Sequence, residues 1–388
     1  MEGEEVARNH SLDILRGVAI LMVLATHLAN SFARGTPLAD ALSVGGRGVD
    51  LFFVLSGWLL GSQLFREANL TGTVAVRHFW ARRWLRTMPA YYAVLFATFA
   101  QFVVQGKSDR FDWRYLLFLQ NYLPERPFLG VTWSLCVEEH FYLLIAPAVW
   151  IGYRFRRAVA VLAVVVLALI VAHVAGFYTH RSDYHITETH VIFEQCGLGV
   201  LLAWLAVNRP RTWLALCRTS LQLAVLGLVL IGVAAVNRTV WAWWLPDWGT
   251  GGWAVIFGSW IVLANSSPFW RDRVRSRLLA FVASRAYSLY LVHIEAITLA
   301  KKLPLPAEVQ AVAAFVLAFA MAEVLYRFVE RPFNRLRERW TPSSRLSPSP
   351  LGGEGWGGGY EFATGRESVS PSAPPTPHPN PPPQGGRE

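Results

Sequence analysis

Residues 12–32, LDILRGVAILMVLATHLANSF, are mostly apolar and numerous enough to cross the ~30 Å hydrocarbon core of a bilayer as one helix. The same run carries Asp13, Arg16 and His27. An ionisable side chain at membrane depth costs about 2.5–3.5 kcal/mol even on lenient insertion scales, so such groups face a protein interior and mark function. The eleven steps from Arg16 to His27, at 100° each, return to within about 20° of the starting direction and rise ~16 Å. A guanidinium and an imidazole therefore share one face, one near each end of the span.

The rest of the chain reads as more of the same material. Over 388 residues, 53% are hydrophobic and 16% charged, too apolar a balance for an ordinary soluble domain. Apolar runs at 12–32, 48–65, 89–105, 135–152, 158–177, 191–207, 213–236, 251–265, 279–300 and 306–329 predict an all-α integral membrane protein of about ten transmembrane helices in one bundle. The net charge of +10 comes almost wholly from arginine, since Lys107, Lys301 and Lys302 are the only lysines. These charges are spread between the spans, which argues for membrane orientation and against a nucleic-acid patch. Alternate loops are richer in arginine, as at Arg271, Arg273, Arg275 and Arg277 against the lone Arg181 and Arg238, which predicts a multi-pass protein with both termini cytoplasmic. The acidic start MEGEEVARNH reads as a cytoplasmic N-terminus (1–11) and not as a cleaved signal. Cys136, Cys196 and Cys217 offer neither a disulfide framework nor metal-ligand spacing.

Several stretches carry possible chemistry. The second span places Asp50 near the outer surface, followed by Ser56, Gly57 and Gly61, small residues that also let helices approach closely. In FWARRWLRTMPAYY, Arg83 and Arg86 fall on one side of a helix with Arg82 beside them, and Pro89 is expected to start the next span. Guanidinium forks suit phosphate oxygens, and juxtamembrane arginines equally serve lipid headgroups. The outer loop 106–134 holds Trp113, Tyr115, Tyr122 and Trp133, suited to the membrane interface or to stacking on sugar rings. Ser134 is expected to cap the following helix, with Glu138 and Glu139 in its first turn. THRSDYHITETH (179–190) has three histidines five residues apart, a spacing that scatters them around a helix, so no metal site is expected. The ninth span adds Tyr287, Ser288, Tyr290 and His293, and Glu330-Arg331-Pro332 is expected to end the last helix.

Taken together, these motifs resemble the acyltransferase-3 family of membrane-bound O-acyltransferases. The resemblance rests on Arg16 and His27 after Leu12-Asp13, GVDLFFVLSG from Gly48, Arg83-x-x-Arg86, WSLCVEEHFY from Trp133 to Tyr142, and YSLYLVH from Tyr287 to His293. It covers roughly residues 11–333. Cys136, His140 and His190 depart from the family pattern, where a small polar residue, an amide and an arginine are commoner. The resemblance implies a membrane domain over 12–333 that moves an acyl group, expected to be acetyl, from acyl-CoA to a hydroxyl of an envelope carbohydrate or glycolipid. It implies a bacterial cytoplasmic membrane, no cofactor beyond the acyl-CoA donor, and no nucleic-acid partner. His27, Arg16 and Glu138 become the expected catalytic residues. Asp13, Asp50, Ser56, Gly57, Arg82, Arg83, Arg86, Trp133, Ser134, Tyr142, Tyr287, Ser288 and His293 become the expected substrate or donor contacts. A transporter of envelope sugars using the same buried charges is the alternative, distinguished by the absence of covalent change. Residues 341–388 hold half of the chain's 22 prolines and no apolar periodicity, and are expected to form a disordered tail with no fused hydrolase-like domain.

Overall fold

The computed structural model describes residues 9–156, 187–236 and 249–339, except Pro124 and Pro127, together with Leu167 and Val171. The described residues form helices connected by turns. They are α1 (His10–Phe32), α2 (Pro37–Leu42), α3 (Gly48–Thr71), α4 (Val76–Val104), α5 (Trp133–Arg154), α6 (Thr189–Asn208), α7 (Pro210–Val236), α8 (Gly249–Ser266), α9 (Arg277–Ser284), α10 (Ala286–Ala300), α11 (Ala307–Leu325) and α12 (Arg331–Arg339). Among the described residues, six helical stretches are long and apolar enough to cross a membrane, and shorter apolar helices lie at Ile192–Asn208, Gly252–Ser266 and Ala286–Ala300. Helices coincide with each expected run except 158–177, of which only Leu167 and Val171 are among the described residues.

Connectivity sorts the turns between two ends of the bundle. The start of α1 and the turns 72–75 and 266–276 share one end with the π-turn Tyr326–Glu330. Asn9 pins this end by capping α1 and donating to Ala264 O and Asn265 Oδ1. Residues 33–47, 105–132 and 301–306 lie at the opposite end, where the loop after α4 is built of single 3-10 turns.

Small residues set the closest helix crossings. Gly57 of α3 and Gly199 of α6 lie against each other's helices, and a methyl group on either would overlap the backbone at Cys196 or Val54. A turn further on, Gly61 faces Ala203. Gly45 and Gly48 bring the chain before α3 onto α1 at Met22 and Ala19, and Gly17 brings α1 onto α9 at Leu279. Large apolar side chains on α7, such as Leu221, Leu226 and Val229, point outward, as a lipid-facing surface requires.

Four boundaries differ from expectation. Pro89 lies inside α4, which begins at Val76, so Arg82, Arg83 and Arg86 are helical residues and not a loop. A proline has no N–H to give, and the helix is long enough to continue past one missing bond. Thr132, not Ser134, occupies the cap position of α5, and Glu138 and Glu139 fall in its second turn. The ninth run is broken at Arg285 between α9 and α10. Beyond Glu330 the chain continues as the polar helix α12, because Arg331-Pro332 sits in its first turn, where proline is accommodated.

Candidate active site

Helix α1 places its charged groups inward. Arg16 is 1% exposed and pairs with Asp13 at 3.1 Å within the same helix, so each buried charge is countered one turn away. At the other end of α1, the half-buried His27 ring meets His293 of α10, with ring centroids 5.0 Å apart. His293 is buried, and its Nδ1 lies 2.8 Å from Tyr290 O. A carbonyl only accepts, so Nδ1 carries the proton and Nε2 keeps a lone pair.

Tyr290 connects this pair to a cavity. Its ring centroid is 5.7 Å from that of His293, and its hydroxyl lies 2.7 Å from Val131 O and 2.6 Å from Ser134 Oγ. The cavity measures about 30 Å³, which is room for about two waters. Phe52 and Phe53 of α3, Ser134 and Glu138 of α5, and Tyr287 and Tyr290 of α10 are among its walls. Glu138 is its acidic group, held by Ser56 Oγ donating to Oε1 and Tyr142 OH donating to Oε2, both at 3.0 Å. Its carboxylate is thus set between α3 and its own helix, and the ring beside His27 is that of His293.

Further polar side chains extend from Glu138 toward the π-turn end. Thr87 Oγ1 donates to Glu139 at 2.8 Å, and Tyr287 OH donates to Thr87 O at 2.8 Å. Ser288 Oγ donates to the buried Glu330 at 2.8 Å. Arg86 is buried in electrostatic contact with Glu330 and Arg83, while Arg337 of α12 feels both Arg82 and Arg86. Arg83 reaches Gln63 at 3.3 Å and lies over the Phe79 ring. Arginines from α4 and α12 therefore gather at the end of the bundle where α1 begins.

A family model described as an acyltransferase domain, that of acyltransferase-3, matches residues 9–327. The chain belongs to the acyltransferase-3 family. Peptidoglycan O-acetyltransferase OatA of Listeria monocytogenes is 26% identical over 84% of this chain and 56% of its own length. O-acetyltransferase OatA of Staphylococcus aureus is also 26% identical, over 84% of this chain and 57% of its own. The chain spans 56–59% of the length of such curated relatives. No solved structure matches it. With its apolar helices, this acyltransferase-3 member is a multi-pass membrane protein.

Within that family frame, the residues singled out from sequence divide by position. Ser134, Glu138, Tyr287 and Tyr290 line the cavity, with His27 and His293 beyond Tyr290. Ser56 and Tyr142 hold Glu138. Arg82, Arg83 and Arg86 stand with Arg337 at the far end, and Ser288 is tied to Glu330. Gly57 belongs to the α3–α6 crossing. Asp50 is engaged by Arg47 and by Gln195 of α6, and Trp133 packs edge-on against Phe53. Sequence reasoning did not choose Glu139, Glu330 or Arg337 as site residues. A glutamate directly before Arg-Pro reads as a helix boundary, although an acid closing an apolar run was itself the available signal.

In the segment 179–190, Thr187–His190 are described. Asn121 Nδ2 bonds Thr189 Oγ1 and Arg126 bonds Thr187 Oγ1, which fastens the start of α6 to the loop before α5. Among the described residues, no group of three His, Cys, Asp or Glu side chains is arranged to hold a metal.

Proposed function

We propose that this chain is a membrane O-acetyltransferase that moves an acetyl group from acyl-CoA to a hydroxyl of an envelope carbohydrate or glycolipid. The observation that carries the reading is the placement of His27, which ends a line of buried polar side chains running from the arginine-rich end of the bundle past Glu138. Both relatives bear O-acetyltransferase names, and the Listeria protein's name specifies peptidoglycan as its acceptor. The donor's phosphates would lie at Arg82, Arg83 and Arg86, since guanidinium forks match phosphate oxygens. Both termini, and with them this arginine-rich end, would be cytoplasmic under the positive-inside rule.

In this reading the thioester reaches into the bundle, and the acceptor hydroxyl arrives from the opposite face. His27 removes the hydroxyl proton as the oxygen attacks the acetyl carbonyl; the C–S bond breaks and CoA leaves. The small, mostly aromatic and aliphatic cavity beside Glu138 suits a two-carbon acyl group better than a long chain. Arg16, its charge countered by Asp13 within α1, stands on the donor side of this path. The reaction needs no cofactor beyond the donor.

The test uses membranes containing the full chain, acetyl-CoA labelled in the acetyl group, and isolated envelope glycans. Labelled ester on the glycan is the expected result, and His27→Ala should lower its rate by about 10²–10⁴-fold. Glycan that crosses the membrane without gaining acetyl would replace this reading with transport.

A further inference from the structure

Next to the proposed base lies a buried histidine to which the acyl-transfer steps give no part. His293 is 1% exposed, its Nδ1 is committed to Tyr290 O at 2.8 Å, and its Nε2 is buried without a hydrogen-bond partner. A buried acceptor left empty is costly, and a structural histidine would be expected to have both nitrogens satisfied. The nearest ring is His27, 5.0 Å between centroids and tilted by 52°. Two imidazoles joined by an N–H···N bond have centroids about 5 Å apart, given a heavy-atom separation near 3 Å. The separation therefore already fits such a bond, and a turn of the half-buried His27 ring is what it requires.

We propose that His293 is a positioning residue for His27, its Nε2 accepting the ring N–H of His27 during acyl transfer. This deepens the acyltransferase reading and rests on it. With one His27 nitrogen held as a donor to His293, the other keeps its lone pair and faces the acceptor hydroxyl. When that lone pair takes the hydroxyl proton, His27 becomes an imidazolium and its bond to His293 becomes charge-assisted. The acceptor oxygen forms the bond to the acetyl carbon, the C–S bond breaks, and CoA thiolate receives the proton from His27. His293 never takes the proton; it fixes which nitrogen of His27 is basic. Catalytic hydrogen bonds are often long or misaligned without substrate and tighten when it binds, consistent with the open Nε2.

The tilted contact, the locked Nδ1 and the vacant Nε2 predict a side-chain order that simple packing would not produce. Gln can offer an acceptor where Nε2 lies, Asn reaches only as far as Nδ1, and Phe keeps the ring shape with no acceptor. The experiment measures kcat and the acetyl-CoA KM of full-length His293→Phe, His293→Asn and His293→Gln in membranes, normalised to protein that remains monodisperse after detergent extraction. The expected result is a kcat loss of about a hundredfold for Phe and Asn, recovery to within about tenfold for Gln, and KM within about twofold throughout. Parental activity in His293→Phe would overturn the proposal, as would equal impairment of Gln and Phe with raised KM. His27→Ala in the same assay separates the two claims. If it stays active, the reading of His27 as the base fails; if it is inactive while His293→Phe is not, only the pairing fails.

Discussion

A carboxylate between transmembrane helices is tolerable only while each oxygen has a donor, and Glu138 has one for each, from Ser56 and Tyr142. Ser56→Ala removes the donor to Oε1 and should cost about 1–3 kcal/mol, read as a lower melting temperature of the detergent-solubilised protein, with Cys217→Ser on α7 as a control. The inward orientation of Arg16 and His27 was legible in the sequence, because it follows from helical periodicity alone. The meeting of His27 with His293 was not, because it depends on how α1 and α10 cross. Glu138 was legible as a buried acid in an apolar run, whereas its partners come from another helix and from its own next turn. Glu330 escaped for the opposite reason, since it closes its run and sits beside charges that a solvated helix end would also carry.

At the scale of helices, the α3–α6 crossing is sensitive to added volume. Gly57 and Gly61 lie one turn apart on α3 and meet Gly199 and Ala203 on α6, so the backbones touch where side chains are absent. Gly57→Leu should force the helices apart and sharply reduce the yield of monodisperse protein, consistent with an overpacking cost of at least about 1–3 kcal/mol. Gly232→Ala, on a part of α7 where an added methyl meets nothing within 4 Å, should leave yield and activity unchanged. Equal tolerance of both changes in size-exclusion profiles would contradict this packing. The small-residue spacing on α3 was visible in sequence, but the partner helix was not. Helix ends were read less well than helix centres, because apolar runs mark only the part of a helix that lipid or core covers. The first turns of α4 carry arginines, and α12 is mostly polar, so hydropathy alone could not extend either element.

Across the whole molecule, polar side chains form a line through an otherwise apolar bundle, from Arg86 and Glu330 near one end, past Glu138, to His27 and His293 near the other. Such a line is expensive in a membrane, and the proposed two-sided reaction would account for it. The sidedness is itself testable. Single cysteines placed in the turn at 271–275 should react with an impermeant maleimide only after the cells are opened, and those at 301–305 should react in intact cells; the reverse pattern would put the donor on the wrong side. The measurement that bears most directly on the account is transfer of labelled acetyl from acetyl-CoA to envelope glycan by membranes carrying either the parent chain or His27→Ala at equal abundance. The account predicts labelled ester with the parent and a loss of about 10²–10⁴-fold with the variant. Equal labelling by the two would contradict it.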